Sequence, residues 1–161
     1  MTYIRECAIK NAKYLVTTHT SAQTTSDSAN TFVTISGSEI AYAPSNDASK
    51  VIYEISFYAE KIDGKFFQCI QLEEYDGSSW SEINAKFRKN IGVATGETNQ
   101  NNRYYIYFRY VIPTWSGSKQ LRLRTSDRDP NQSVSLHQLT EWDGASATDQ
   151  FCNTNLLVYS I

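Results

Sequence analysis

The sequence has 161 residues, about the size of one domain and too short for two comfortable ones. Its formal net charge is −2, from 15 basic and 17 acidic residues, so it lacks the positive field on which nucleic-acid binding rests. Aromatic residues make up 13%, with 11 Tyr among them, a composition that suits β-strands and surfaces covered by a partner.

The opening MTYIRECAIK lacks the basic-then-apolar layout of a signal peptide. No apolar run approaches the roughly 20 residues that span a bilayer. Synthesis and folding in a cytoplasm are expected, with no membrane partner. The first strand is expected at Lys13–Thr18 (KYLVTT). His19 to Asn30 is polar, rich in Ser and Thr and without periodicity, and reads as an exposed arm. Residues 1–30 are therefore taken as an N-terminal strand and arm, and residues 31–161 as the main domain.

From Thr31 the pattern is strand after strand. TFVTI ends at Ser36-Gly37-Ser38, and SEIAYA ends at Pro44. Val51 to Lys61 alternates cleanly: Val51, Tyr53, Ile55, Phe57 and Ala59 point one way, Glu54, Ser56, Tyr58 and Glu60 the other. Asp63-Gly64 then predicts a hairpin into Lys65–Tyr75, since a type I′ turn needs positive φ at both central positions. Asp76-Gly77 predicts a turn into a strand over Trp80–Val93, although Ile83 and Phe87 also fit a helical i, i+4 pair. After the polar stretch 94–102 comes the most apolar strand, Arg103–Ile112. Tyr104, Ile106, Phe108, Tyr110 and Ile112 form one face, and Arg103, Tyr105, Tyr107, Arg109 and Val111 the other. Ser116-Gly117-Ser118 turns into Gln120–Thr125, with Leu121 and Leu123 inward. The loop 126–132 leads to a strand over Val134–Trp142, Asp143-Gly144 opens a further loop, and Asn155–Ile161 is the last strand. About nine or ten short strands with Gly, Pro and Asp turns indicate a sandwich or barrel.

The sequence offers little catalytic chemistry. Its two histidines, His19 and His137, are far apart, and no GxSxG elbow is present. Cys7, Cys69 and Cys152 are isolated, an odd number without CxxC pairing, so neither a disulfide framework nor a zinc site is expected. Buried free thiols in a reducing compartment fit better. Ser126-Asp127-Arg128-Asp129-Pro130-Asn131 spaces oxygen ligands as calcium loops do, but it lacks the glycine and distal Glu, and Arg128 opposes a cation. Asn131-Gln132-Ser133 matches a glycosylation sequon and, without a secretory signal, reads as chance. Glu73 and Glu74 are adjacent on a strand and point to opposite faces, unlike a glycosidase pair. No enzymatic activity and no cofactor are expected. The candidate site is instead a surface. Arg103, Tyr105, Tyr107 and Arg109 share one side of a strand, and Tyr and Arg are enriched at interface centres.

The stretch ISGSEIAYAPSNDASKVIYEISFYAEK and the closing FCNTNLLVYSI resemble small virion proteins and fibre-tip modules of tailed phages, especially those of marine cyanobacteria. The resemblance runs from about Ser36 to Ile161. It implies an antiparallel two-sheet jelly roll of the tumour-necrosis-factor and complement-C1q type, assembled as a homotrimer and located in the virion after synthesis in the host cytoplasm. It also implies partners: copies of itself, and the major capsid protein or another virion protein. The short lead before the resemblance favours a capsid decoration or cement protein on the outside of the head. The alternative is a tail or fibre-tip receptor-binding module, in which Trp80, Trp115 and Trp142 would stack on host surface glycans.

Overall fold

A computed structural model describes residues 8–25, 31–62, 66–93, 101–127, 134–142 and 147–161. Cys7, Asp63-Gly64, the 94–100 stretch, Arg128 to Ser133 with its sequon, Asp143-Gly144 and the side chain of Trp142 lie outside the described residues. The elements are β1 (Lys10–Thr17), β2 (Gln23–Thr24), β3 (Val33–Thr34), β4 (Ile40–Tyr42), β5 (Lys50–Ile62), β6 (Phe66–Tyr75) and β7 (Trp80–Glu82). A 3₁₀ turn (Ala85–Phe87) follows, then β8 (Lys89–Val93), β9 (Asn101–Pro113) and β10 (Lys119–Asp127). The chain closes with β11 (Ser135–Leu136), β12 (Gln138–Trp142), β13 (Ala147–Phe151) and β14 (Thr154–Ser160).

The architecture is an all-β antiparallel sandwich of jelly-roll type. In sheet I, β5 is central: β9 pairs along one side, and β14 and β11 follow each other along the other. β1 continues outward from β14, and β2 from β11. In sheet II, β10 and β6 are central, with β3 and β4 outside β10, and β7 and β8 outside β6. Successive long strands alternate between sheets, as jelly rolls require.

The core fills the space between the sheets. Val51, Tyr53, Ile55, Phe57 and Ala59 of β5 are buried, as the alternation predicts, and meet Ile70, Leu72, Leu121 and Leu123 of sheet II. Each large apolar side chain removed from water contributes about 1.5–3 kcal/mol, which makes the period-two pattern decisive. On β9, Ile106, Tyr110 and Ile112 are buried, with Tyr104 and Phe108 half-buried beside them.

Several expectations are corrected. The hairpin expected between Val51–Lys61 and Lys65–Tyr75 does not form, because β5 and β6 belong to different sheets. Their apolar faces meet across the core instead of lying side by side. Asp76-Gly77 does close one: Tyr75 pairs with Trp80, Gly77 takes φ +104, and the Asp76 carboxylate accepts the N–H groups of Ser78 and Ser79. Trp80–Val93 is not one strand. Asn84 caps the Lys86 N–H at 2.9 Å and starts the 3₁₀ turn, which lets Ile83, Phe87 and Ile91 all pack on the core. Val134–Trp142 breaks at His137, whose φ is +64. β13, with the polar sequence ATDQF, has no apolar alternation to announce it. Residues 19–25 are not a free arm. β2 pairs with β11, and Thr25 is buried, its hydroxyl donating to Asp127 at 2.7 Å. Ser126 and Asp127 accordingly end a buried strand and do not begin an open loop.

Between β3 and β4, the buried Ser38 hydroxyl stands in for a strand. It accepts the Leu123 N–H and lies 3.1 Å from both Leu123 N and Leu123 O. Ser38→Ala should cost about 1–3 kcal/mol, because it orphans a buried backbone donor. Urea unfolding with an unchanged m-value would show it; a loss below the fitting error would exclude this role for the hydroxyl.

Candidate functional site

The outward face of β9 presents the Tyr/Arg stripe. Tyr105 is 60% exposed, Tyr107 54% and Val111 48%, and both arginines are exposed. The antiparallel register sets each stripe residue opposite a β5 residue: Arg103 faces Glu60, Tyr105 faces Tyr58, Tyr107 faces Ser56 and Arg109 faces Glu54. Both arginines therefore meet a carboxylate. Arg109 Nε lies 3.0 Å from Glu54 Oε1, and Arg103 Nε 3.4 Å from Glu60 Oε1. Tyr58 and Tyr105 rings sit 5.1 Å apart.

The network reaches β14. Tyr159 donates its hydroxyl to Glu54 at 3.1 Å, and Arg109 donates to the Tyr159 oxygen at 3.3 Å. Burial, and then the Glu54 carboxylate, push the Tyr159 and Tyr107 phenols above their ordinary range, so both are neutral at physiological pH. Farther out, Tyr14 of β1 is 64% exposed and donates to Asn155 at 3.0 Å, with Leu15 and Val16 exposed beside it. A shallow hollow of about 360 Å³ lies between Tyr14, Glu54, Ser56, Tyr107, Asn155 and Leu157. At its far end the face is covered: the β12–β13 hairpin places the Thr140 N–H and hydroxyl on Glu60, which is buried. What remains open is an aromatic surface whose charges are already paired. It can be covered by another protein surface without stranding a bare ion.

The outer face of sheet II has the opposite character. Glu73 meets Arg122 at 2.7 Å and Arg124 at 3.2 Å, and Arg88 meets Glu82 at 2.7 Å. Burial alone would raise the Glu73 carboxyl, but hydrogen bonds from Arg122 and Arg124 outweigh it and hold the group below its usual range. The arginines of this face are locked into a mesh of ion pairs.

Trp80 and Trp115 are not the free stacking platforms expected from the sequence, and the side chain of Trp142 lies outside the described residues. Trp80 is half-buried, with the Arg122 guanidinium 3.9 Å from its ring centre and Tyr75 against its edge. Trp115 is half-buried on the core beside Tyr42, and its indole walls two shallow hollows, one with Glu74 and Lys119, one with Ser45 and Asn46.

The two histidines, distant in sequence, are stacked with ring centres 3.8 Å apart. Nothing in the sequence pairs them; only the docking of residues 19–25 on β11 does. Cys69 is buried and Cys152 half-buried. Among the described residues no group of three His, Cys, Asp or Glu is placed to hold a metal, and no helix is long and apolar enough to cross a membrane.

No family model matches the chain, and no curated protein sequence does. Among solved structures the chain is similar to Eiger TNF from S. frugiperda, at 8% identity over 81% of this chain and 89% of that one, with a TM-score of 0.39. It is also similar to a chain of the T13 IBDV viral particle, at 13% identity and a TM-score of 0.39, covering 99% of this chain but 39% of that one. A third is the enzymatically active domain of bacteriophage CBA120 tailspike protein 4, at 12% identity and a TM-score of 0.30, over 79% of this chain and 18% of that one.

Proposed function

We propose that the chain is a structural component of a phage virion, a decoration or cement protein that sits on the outside of the head as a homotrimer, with the open face of sheet I as its subunit interface. The observation that carries this reading is the contrast between the two outer faces. Sheet II is sealed by its own ion pairs, whereas sheet I leaves Tyr14, Tyr105, Tyr107 and Val111 in water around a neutralised Glu54–Arg109–Tyr159 centre. Tyr and Arg at the middle of a patch are the residues that anchor interfaces. The virion assignment is supported by the sequence resemblance, and the mechanism is mechanical. The trimer bridges neighbouring capsid subunits and adds buried area against internal pressure, with no catalytic step and no cofactor.

Sedimentation of the purified chain at micromolar concentration should give three times the monomer mass, and a stable monomer would overturn the trimer. Immunolabelling of intact particles should place the chain on the head; label confined to the tail would reject decoration. A second reading, a tail-tip module for host glycans, draws on Trp115, whose indole separates two hollows flanked by Glu74, Lys119, Ser45 and Asn46. That reading predicts retention on a glycan array that Trp115→Ala abolishes.

A further inference from the structure

The segment Thr18–Thr25 is held on sheet I at the buried Thr25 hydroxyl, which donates to Asp127 and accepts from the Val134 N–H and Gln68, and by backbone pairing. Gln23 and Thr24 pair with β11, the Thr25 N–H donates to Val134 O at 2.9 Å, and Gln23 bridges Thr34 O and Ser36 N. Its other anchor is His19, which lies flat on His137, with ring planes 3° from parallel.

Hydrogen-bond accounting fixes the state of this pair. Thr154 Oγ1 carries one proton and lies 3.2 Å from Ser36 O, to which it donates. Its lone pairs then accept from His19 Nε2 at 2.9 Å and His137 Nδ1 at 3.0 Å. Each imidazole then carries a proton on the nitrogen that faces Thr154. His137 Nε2 is left bare, buried and without a hydrogen-bond partner among the described residues. A proton added there would be a buried cation with no acceptor, face to face with a second imidazole.

Among the described residues no carboxylate is paired with either ring, and Glu141 of β12 acts on the neighbouring Cys152 thiol. β5 contributes the Phe57 ring edge, 5.9 Å from His137, and the Tyr58 carbonyl, which accepts the His137 N–H. The chain between β13 and β14 contributes the Cys152 N–H, and burial raises that residue's thiol, leaving it protonated. β14 contributes Thr154, and the turn after β3 contributes Ser36 O. The carboxylate that faces the segment is Asp127, at its far end on Thr25.

We propose that the stacked His19–His137 pair is an acid-sensitive latch, holding Thr18–Thr25 on sheet I at neutral pH and releasing it in mildly acidic medium, which uncovers the β11 edge. Burial, and then His19, push His137 down to about 3 from an ordinary 6.5, and burial lowers His19. The neutral rings are favoured in the closed form. Closure is therefore intact above pH 6.5 and weakens as pH falls from there toward 3.

Hydrogen exchange of the full chain, corrected for the intrinsic rate, tests this at the Thr25 amide. Between pH 6.5 and about 5 the opening constant should rise about tenfold per pH unit for each histidine that protonates, while β5 amides stay protected. In the H19Q/H137N double variant it should be flat over the same window. Asn is chosen at 137 because it tolerates the positive φ there. Should the double variant fail to fold, H19Q alone reports the same effect as a slope shallower by about tenfold per pH unit. An opening constant independent of pH in the wild-type chain, or one equally steep in the variants, overturns the latch.

Discussion

Tyr105→Asp with Tyr107→Asp should turn the proposed trimer into a folded monomer. Both side chains point away from the core and are more than half exposed. Within one subunit the pair loses the Tyr58–Tyr105 ring contact, worth about 0.5–1.5 kcal/mol, and the Tyr107 hydrogen bond to Glu54 at the exposed face. Across an interface the cost is much larger. Truncating a central aromatic anchor costs about 2 kcal/mol or more, so two cost about 4 kcal/mol, roughly a thousandfold in association. The new carboxylates would also crowd Glu54, whose charge is already matched by Arg109. Sedimentation equilibrium alongside thermal melting separates the two effects. A smaller species with a nearly unchanged melting point is the expected result. Unaltered assembly would remove sheet I from consideration as the subunit contact. Glu82→Ala, on the outer face of sheet II, is the matched control and should leave the assembly intact.

Much of this face was legible in the sequence. The two-sided character of Arg103–Ile112 follows from alternation alone, and so does that of Val51–Ala59. The partners of the two arginines were not read. They follow once β5 and β9 are set antiparallel, because Glu54, Ser56, Tyr58 and Glu60 then run against Arg109, Tyr107, Tyr105 and Arg103. Periodicity gives the face of a strand but not its neighbour, and the neighbour decides whether an exposed charge is paired. The same limit explains the Asp63-Gly64 error. A turn-forming dipeptide is compatible with a hairpin and with a crossing between sheets, and only the need of both flanking strands to bury an apolar face chooses between them. His137 escaped for a different reason. Its positive φ is imposed where β11 hands over to the β12–β13 hairpin, and no local signal marks a non-glycine residue in that conformation. Trp80 and Trp115 show that an aromatic near a turn can be covered by its own chain. Trp115 packs on Tyr42, and Arg122 covers Trp80.

Gly37→Ala should be the most damaging single-methyl change among the described glycines. Three of them, Gly37, Gly77 and Gly117, have φ between +78 and +104, where any side chain is strained by roughly 1–2 kcal/mol. They differ in the space around them. A Cβ at Gly77 or Gly117 would meet nothing within 4 Å, but at Gly37 it would lie 2.8 Å from Thr17 Cβ and 2.9 Å from Thr154 Cβ. Those contacts are β-carbons on paired strands, since Thr17 of β1 faces Thr154 of β14, so the backbone itself must give. Overpacking of this kind adds about 1–3 kcal/mol, for a total of roughly 2–5 kcal/mol. At this chain length that lowers the melting temperature by about 5–15 °C. The strain would also displace the Thr154 hydroxyl, which both histidines share, so the Thr25 amide should open more readily at pH 7 in this variant than in Gly117→Ala. Equal melting points for the Gly37 and Gly117 variants would mean that the close approach of β1, β14 and the Ser36–Ser38 turn does not constrain the fold.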